Sequence, residues 1–464
     1  MQQQLWTQAK IEKALGSLIV EVKGRTGRPL TEVSTDSRHL SRGAVFVALK
    51  GDKFDGHDYA AAAQRNGAEL LIVERPIGTP VPEIVVTDTA EAYGALARAW
   101  RSQFAIPLIC VVGSNGKTTT TQMIASILRV ALGTEAMLAT EGNYNNSVGV
   151  PRTLLRLTSD MKAAVVEAGI SHPGEMAQLV SWIRPTVVVV TNAQREHQEF
   201  LDGVEASARE NGMAIVSLSG KGTAVLPADD ASLPIWINYA RARGCEVLTY
   251  AEGETAIHAP VRAVEKNGTV SLVLPTGERQ LELKTAGRHA VHDAAAAAAA
   301  AAVIGVSPEA IEEGLRCFEP VAGRGRRFVL RSGAVLIDDA YNANPDSMRA
   351  AIDMLSHLSS PRVLVAGDMG EVGKHAHDYH VEIGRYAREH GIDRFLAVGE
   401  EMKAAAEAFG AGARYYDSTV TLIKAVLDEA QTPGTVLVKA SHYMKLDAVV
   451  TAVVGEYGIS SQKK

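Results

Sequence analysis

The chain has 464 residues, 46% hydrophobic and 22% charged, with a formal net charge of −6. Those fractions are those of a soluble globular protein with room for two to four well-filled domains, of which three are expected. With no long basic block, the composition gives no support to nucleic-acid binding, and any polyanionic ligand must be met by a local site. Cys110, Cys245 and Cys317 lie far apart and match neither a disulfide framework nor a metal-ligand spacing, which points to a reducing compartment. The opening MQQQLWTQAK lacks the apolar core of a leader, and no run reaches transmembrane length. A cytoplasmic enzyme without membrane insertion is the expectation.

Residues 1 to about 100 begin with a short amphipathic segment. Val45 to Leu49 then read as a strand, Gly51 to His57 as a polar loop, and Asp58 to Asn66 as a helix ended by Gly67, together a small α/β module. Within it, Ser34-Thr35-Asp36-Ser37-Arg38 combines hydroxyls, a carboxylate and a guanidinium. That chemistry suits a phosphate or a uracil edge, and equally a capped turn.

A helix around Ala90 to Arg101 precedes Pro107, which marks entry to a second domain. There LICVVGSNGKTTTT runs from a doubly buried strand, Leu108 to Val112, through Gly113-Ser114-Asn115-Gly116-Lys117-Thr118 into a helix expected from Thr119 to Leu132. Strand, glycine loop and helix in that order present backbone N–H groups and a positive helix end to phosphate oxygens. Lys117 would neutralise β- and γ-phosphates, and the Thr118 hydroxyl would be a ligand of Mg²⁺. The general pattern has a glycine five residues before Gly116, where Val111 stands, so the reading rests on GSNGKTT and its context; the plain alternative is a strand-to-helix turn with an exposed lysine.

Glu141 to Pro151 form a polar loop in which Asn145 and Asn146 could reach a phosphate. The strand Ala163 to Glu167 ends in a carboxylate at the sheet edge where ligands bind, and a divalent ion is its natural partner. A further strand, Pro185 to Val190, delivers Thr191-Asn192 and then His197 among carboxylates, a position that suits a metal ligand as well as a structural histidine. Residues 213 to 285 alternate short strands with glycine turns, and an alanine-rich helix starts near His289.

Pro320 to Arg327 read as a flexible basic linker and the last domain boundary. Beyond it, strands and helices alternate as in a second doubly wound sheet, with polar clusters at Asp338-Asp339-Ala-Tyr341-Asn342-Ala-Asn344, Gly367-Asp368-Met369-Gly370-Glu371 and Lys439-Ala-Ser441-His442. Three polar strand ends on one edge predict a cleft facing the other domain.

Taken in order, GSNGKTTT, GNYNNSVGVP, EAGISHPGEM, TNAQREHQEF, DDAYNANPDSM and GDMGEVG resemble the Mur ligase family of peptidoglycan synthesis. The amino-terminal TDSRHLSRGAVFVALKGDKFDGHD is similar to the family's UDP-binding module, and DDAYNANPDSM with GDMGEVG is most similar to the branch that adds D-alanyl-D-alanine. The resemblance implies an α/β chain of three domains: 1–100, small and UDP-precursor-binding; 101–320, a central P-loop-type ATPase; 321–464, a doubly wound, Rossmann-like domain for the incoming amine. It implies ATP and Mg²⁺ as cofactors, UDP-N-acetylmuramoyl-tripeptide and D-alanyl-D-alanine as substrates, and a monomer.

By the same resemblance, Gly113, Ser114, Asn115, Gly116, Lys117, Thr118 and Thr119 form the phosphate site, Thr118 and Glu167 hold Mg²⁺, and His197 supports a second Mg²⁺ site. Asn146 would point at the γ-phosphate, and Arg324 and Asp339 would meet the phosphates and ribose of ATP when the domains close about a hinge at Ala322 to Arg327. Ser37 and Arg38 fall to the UDP precursor, and Tyr341, Asn342 and Asn344 to D-alanyl-D-alanine. Two positions depart from the family pattern. Arg209 stands where a carbamylated lysine is common, with Glu210 a candidate substitute, and Ala290 stands where GRHN would have its amide.

Overall fold

Short apolar runs separated by helices build three sheets in the computed structural model, which describes residues 6–51, 54–254, 258–266, 268–285 and 287–460. Parts of the opening segment (1–5), of the 51–57 loop (52 and 53) and of the 213–285 stretch (255–257 and 267) lie outside the described residues.

The first sheet has five strands in the order Ile19–Lys23, Glu83–Val86, Ala68–Val73, Ala44–Val47, Val33–Ser34, parallel except at the Ile19–Lys23 edge. The expected helix after the polar loop is a 3₁₀ turn, Gly56–Tyr59, followed by Ala60–Arg65 with Asn66 as its C-cap.

The second sheet has nine strands, and its middle decides where chemistry can occur. Leu108–Val112 is buried along its whole length and pairs in parallel with Ala163–Glu167 on one side and Val187–Val190 on the other. From the central strand the chain runs out to Met137–Ala139, returns to Ala163–Glu167 and then crosses to Val187–Val190 on the other side. The carboxyl ends of these three neighbours, carrying Gly113, Glu167 and Thr191, open into one crevice, as at the switch point of any doubly wound sheet. Behind the sheet, Arg288–Val303 packs on the Lys117–Leu132 helix and on the strands, with Ala294 through Ala301 essentially buried. Alanine suits the site because the backbones approach closely. The next helix, Pro308–Cys317, comes closer still, and a Cβ on Gly314 would lie 2.4 Å from Ile127 Cα.

The third sheet has six strands in the order Arg326–Val329, Val335–Asp339, Thr435–Lys439, Arg362–Gly367, Arg394–Val398, Ala413–Tyr416, parallel except for its first edge.

Several local expectations change. The phosphate-loop helix starts at Lys117, two residues earlier than expected, because Gly116 adopts the left-handed conformation that ends the loop. Residues 213–285 are not all strands and turns: Gly203–Val216 ends within them and Leu233–Arg243 is a helix. The polar loop from Glu141 already enters the short helix Gly149–Leu154. The basic linker is not flexible chain: Gly323 and Gly325 N–H donate to Asp338, and Arg326–Val329 is an edge strand antiparallel to Val335–Asp339.

Candidate active site

A cleft of about 450 Å³ lies between the second and third sheets. Its walls bring together Ser114, Asn115, Gly116, Lys117, Thr118, Asn146, Glu167 and His197 from the central part with Arg324, Tyr341, Asn342 and Asn344 from the carboxyl-terminal part. Residues 230 positions apart in the chain thus face one another because two sheets turn their strand ends inward.

The phosphate loop is held rigid from its own side. Gly113 N–H donates to Asn211 Oδ1 at 3.0 Å, Ser114 N–H to Asn192 O at 3.1 Å, and Asn115 N–H to Asn192 Oδ1 at 2.9 Å. These amides are engaged internally. The donors left for an anion are those that a helix cannot satisfy within itself, the first-turn N–H groups from Gly116 to Thr119. The sequence expectation of a whole loop of free amides is corrected to that narrower set. A side chain on Gly113 would strike Thr191, its Cβ lying 2.2 Å from Oγ1, so the tight approach of the two strand ends requires glycine there.

Lys117 folds back over the loop, its Nζ donating to Gly113 O at 2.5 Å and Ser114 O at 2.9 Å, with Glu196 Oε2 at 3.4 Å. Glu196 is 4% exposed and accepts from Asn211 Nδ2 at 3.0 Å. It was not singled out in the sequence, although its place two residues past the Gln194 turn puts a carboxylate on the same strand end as His197.

Glu167 is 1% exposed at its strand terminus. Its Oε1 accepts from Asn145 Nδ2 at 2.7 Å and from the Thr118 hydroxyl at 3.2 Å, while Oε2 is buried without a hydrogen-bond partner. An orphaned carboxylate oxygen beside a hydroxyl, deep in a polar cleft, has the donor set of a hard divalent cation. Of the two asparagines, Asn145 therefore touches the carboxylate. Asn146 lines the cleft and uses its Oδ1 to accept the N–H groups of Val148 and Gly149, at 3.2 and 2.9 Å.

His197 occupies left-handed backbone, φ 46°, a conformation that a non-glycine residue holds only where its surroundings enforce it. Its Nδ1 lies 2.5 Å from Glu371 Oε2 of the third sheet, and its Nε2 is 4.0 Å from Glu196 Oε2. The His197 contact, more than partial burial, holds the Glu371 carboxyl below the usual range. Arg209 does not reach this corner. It is exposed and pairs with Glu205 on its own helix, at 3.0 and 2.6 Å. Nor does Glu210, whose Oε1 caps the neighbouring helix by accepting from Gly174 and Met176 N–H. The carboxylates beside His197 are Glu196 and Glu371.

On the opposite wall, the Arg324 guanidinium stacks 4.1 Å over the Tyr341 ring. Asp339 lies behind it, its Oδ2 bound by Lys439 Nζ at 2.7 Å, and that ammonium also donates to Asn342 O at 2.9 Å. Asn344 caps its helix by accepting Ser347 N–H at 2.8 Å, and exchanges amide hydrogen bonds with Asn115 across the cleft, at 2.9 and 3.3 Å.

Ser37 and Arg38 belong to a different place. Arg38 is exposed and bidentate to Asp36, and Ser37 accepts Asn66 through its carbonyl. Among the described residues, neither lines the neighbouring groove of about 930 Å³, whose walls include Ser34, Thr35 and Asp36 with Arg152 and Arg156 opposite.

Asp293 belongs to the alanine-rich helix Arg288–Val303. It is 4% exposed behind the phosphate loop, so close that a Cβ on Gly116 would lie 2.3 Å from its Oδ1. Burial pushes its carboxyl up to about 7, against weaker opposing pulls from His292, Thr120 and Arg324. The unfolded carboxyl loses its proton near 4 while the folded one keeps it to about 7. The native state thus binds the extra proton, and stability falls with rising pH across that interval before levelling off. Asp293→Asn, which carries no proton to lose, should gain on the parent by on the order of 4 kcal/mol between pH 4 and 8. Denaturant unfolding of both chains at a series of pH values checks this, and a pH-independent difference would contradict it.

A glycine loop of this form facing the polar strand ends of a second doubly wound sheet defines a multidomain enzyme of the nucleotide-using kind. Residues 111–301 match the Mur ligase middle domain, 323–442 the Mur ligase glutamate ligase domain, and 29–101 the Mur ligase family catalytic domain. The chain is 38% identical over 431 residues to the UDP-N-acetylmuramoyl-tripeptide–D-alanyl-D-alanine ligase of Escherichia coli K12, covering 91% of this chain and 94% of that one. It superposes on a MurF crystal structure from Acinetobacter baumannii with a TM-score of 0.89 at 30% identity, covering 98% of this chain and 100% of that one. The MurF ligase of Thermotoga maritima in complex with ADP shares the fold, with a TM-score of 0.80 at 23% identity over 92% of this chain and 97% of that one. The chain belongs to the Mur ligase family.

Proposed function

We infer that this chain is an ATP-dependent amide ligase that joins D-alanyl-D-alanine to the terminal carboxylate of UDP-N-acetylmuramoyl-tripeptide, releasing ADP and phosphate, in peptidoglycan precursor synthesis. The observation that carries the reading is the contact of the DDAYNANP strand end with the phosphate loop through Asn344 and Asn115, 2.9 Å apart. It supports the reading because DDAYNANP meets GSNGKTT in a chain whose relatives are ligases of this type.

A carboxylate and an amine do not condense at neutral pH, because oxide cannot leave. The carboxylate must first attack the γ-phosphorus of ATP, expelling ADP and forming an acyl phosphate. The neutral amine then attacks the acyl carbon, inorganic phosphate departs, and the nitrogen loses its proton. In the first step two anions meet. Lys117, detached from Gly113 O and Ser114 O by the incoming phosphates, would offset their repulsion together with the first-turn N–H groups. Thr118 and Glu167 are the residues that would hold Mg²⁺, supported by the orphaned Glu167 Oε2. That ion, when bound, would withdraw charge from the phosphate oxygens. The Arg324 guanidinium and the Tyr341 ring would meet the nucleotide from the other wall, while Asp339, tied to Lys439, fixes the strand end that carries Asn342.

We assign the three sheets to three domains, 1–100 for the UDP precursor, 101–320 for ATP and 321–464 for D-alanyl-D-alanine, in a cytoplasmic monomer. Ser37 and Arg38 are assigned to the precursor's UDP end, beside the Ser34–Asp36 groove. Among the described residues, no helix is long and apolar enough to cross a membrane. Purified protein with ATP, magnesium, UDP-N-acetylmuramoyl-tripeptide and D-alanyl-D-alanine should release phosphate. It should release far less when diaminopimelate, lysine or glutamate replaces the dipeptide. Phosphate release independent of the peptide substrates would instead indicate a nucleotide switch.

A further inference from the structure

One arginine of the central part is held almost wholly by the carboxyl-terminal part. Arg195 donates through its backbone N–H to Asp346 Oδ2 at 2.8 Å and through Nε and Nη2 to Asp346 Oδ1 at 3.0 and 2.6 Å. The same guanidinium donates through Nη1 and Nη2 to Glu382 at 2.8 and 3.1 Å, and lies 5.1 Å over the Tyr379 ring. Asp346 stands in the first turn of the helix Pro345–Ser356, where a carboxylate is also favoured by the helix dipole. Glu382 comes from Ala376–Glu389, and its hydrogen bond to Arg195 is the chief reason its carboxyl is held below the usual range.

Two features separate this from an ordinary surface ion pair. The Arg195 and Asp346 side chains are 20% and 23% exposed, and the guanidinium makes a bidentate contact with Glu382 while two of its nitrogens share Asp346 Oδ1, the arrangement least replaceable by lysine. Arg195 also directly precedes Glu196, which faces Lys117, and His197, whose left-handed backbone needs an external restraint. The helix turn that carries Asp346 begins with Asn344, the partner of Asn115 in the phosphate loop.

We propose that Arg195 is a positioning residue that couples closure of the carboxyl-terminal domain to alignment of the Glu196–His197 corner against Lys117. Closing docks the Pro345–Ser356 helix on Arg195 and on Asn115 together. Opening releases both and frees the corner. The rate-related part of this rests on the ligase reading above; the structural part does not.

The test uses the full chain. With a non-hydrolysable ATP analogue and magnesium, Arg195→Ala should scatter X-rays as a more open particle than the parent, its radius of gyration larger by more than about 1 Å. Its KM for D-alanyl-D-alanine should rise about tenfold or more, while the analogue's affinity changes less than about threefold. Arg195→Lys, able to meet one carboxylate at a time, should recover part of both effects. Asp346→Asn combined with Glu382→Gln should reproduce the Arg195→Ala scattering. Scattering by Arg195→Ala indistinguishable from the parent's would overturn the proposal, as would a lowered melting temperature with no change in scattering or KM. Because the scattering uses neither peptide substrate, a parent that releases no phosphate would sink the ligase reading without deciding this one.

Discussion

Lys117→Ala should lower ATP-dependent phosphate release by about 10³-fold or more while leaving the affinity for UDP-N-acetylmuramoyl-tripeptide within about threefold. The ammonium is the cation nearest the first-turn amides on the loop side of the cleft, and its present partners are two loop carbonyls and Glu196. A phosphate chain can displace those partners. On the facing wall, Arg324 stacks on Tyr341 and Lys439 is tied to Asp339. Precursor binding should persist because the Ser34–Asp36 groove is built from other elements.

The same substitution removes the charge partner of Glu196, a carboxylate 4% exposed, so some loss of stability is also expected. Adding Glu196→Gln removes the buried charge itself. The double variant should recover melting temperature and stay inactive. Calorimetry with the UDP precursor, melting curves and a phosphate-release assay on the three proteins separate the two effects. Recovery of activity in the double variant, or equal loss of precursor binding and phosphate release in Lys117→Ala, would show that the lysine serves the fold rather than the phosphates.

What could be read from the sequence was whatever is local. A buried five-residue run followed by GSNGKTT announces its strand, its loop and its helix, because each depends on residues next to one another. Glu167 could be found for the same reason, as a carboxylate that terminates an apolar run. The Leu233–Arg243 helix could not, since WINY interrupts any clean apolar stripe and only Trp236 and Ala240 are buried. Arg326 and Arg327 suggested a linker because an edge strand tolerates charges that an interior strand excludes.

The missed site residues share a different cause. Asn211 reaches Gly113 and Glu196 from the Gly203–Val216 helix, Asp293 reaches the loop from beneath, and Arg195 finds both partners more than 150 positions away. Each is an ordinary polar residue until the sheets are stacked. For Asp293 a signal was present, a carboxylate inside a run otherwise suited to close packing, and a charge there needs an explanation that helix propensity does not supply.

Glu167→Gln tests the other half of the site, and its expected result has two opposite signs. Without magnesium the variant should melt above the parent. The Oε2 atom is buried and unpartnered, and an isosteric amide keeps an oxygen to accept from Asn145 and Thr118 while removing a charge from a residue 1% exposed. Relieving an unpaired buried charge of this kind is worth roughly 1–3 kcal/mol. With ADP and several millimolar magnesium the order should narrow or reverse, because the parent gains a bound cation and the variant does not. Phosphate release should fall by about 10²-fold or more, since the amide leaves the transferring phosphoryl group without one anchor for its cation. That pair of results would account for a buried carboxylate at the end of a strand otherwise built from alanine and valine. Melting curves for parent and variant, with and without magnesium at fixed ADP, decide the matter. An equal rise in both proteins on adding magnesium would show that the cation is held elsewhere.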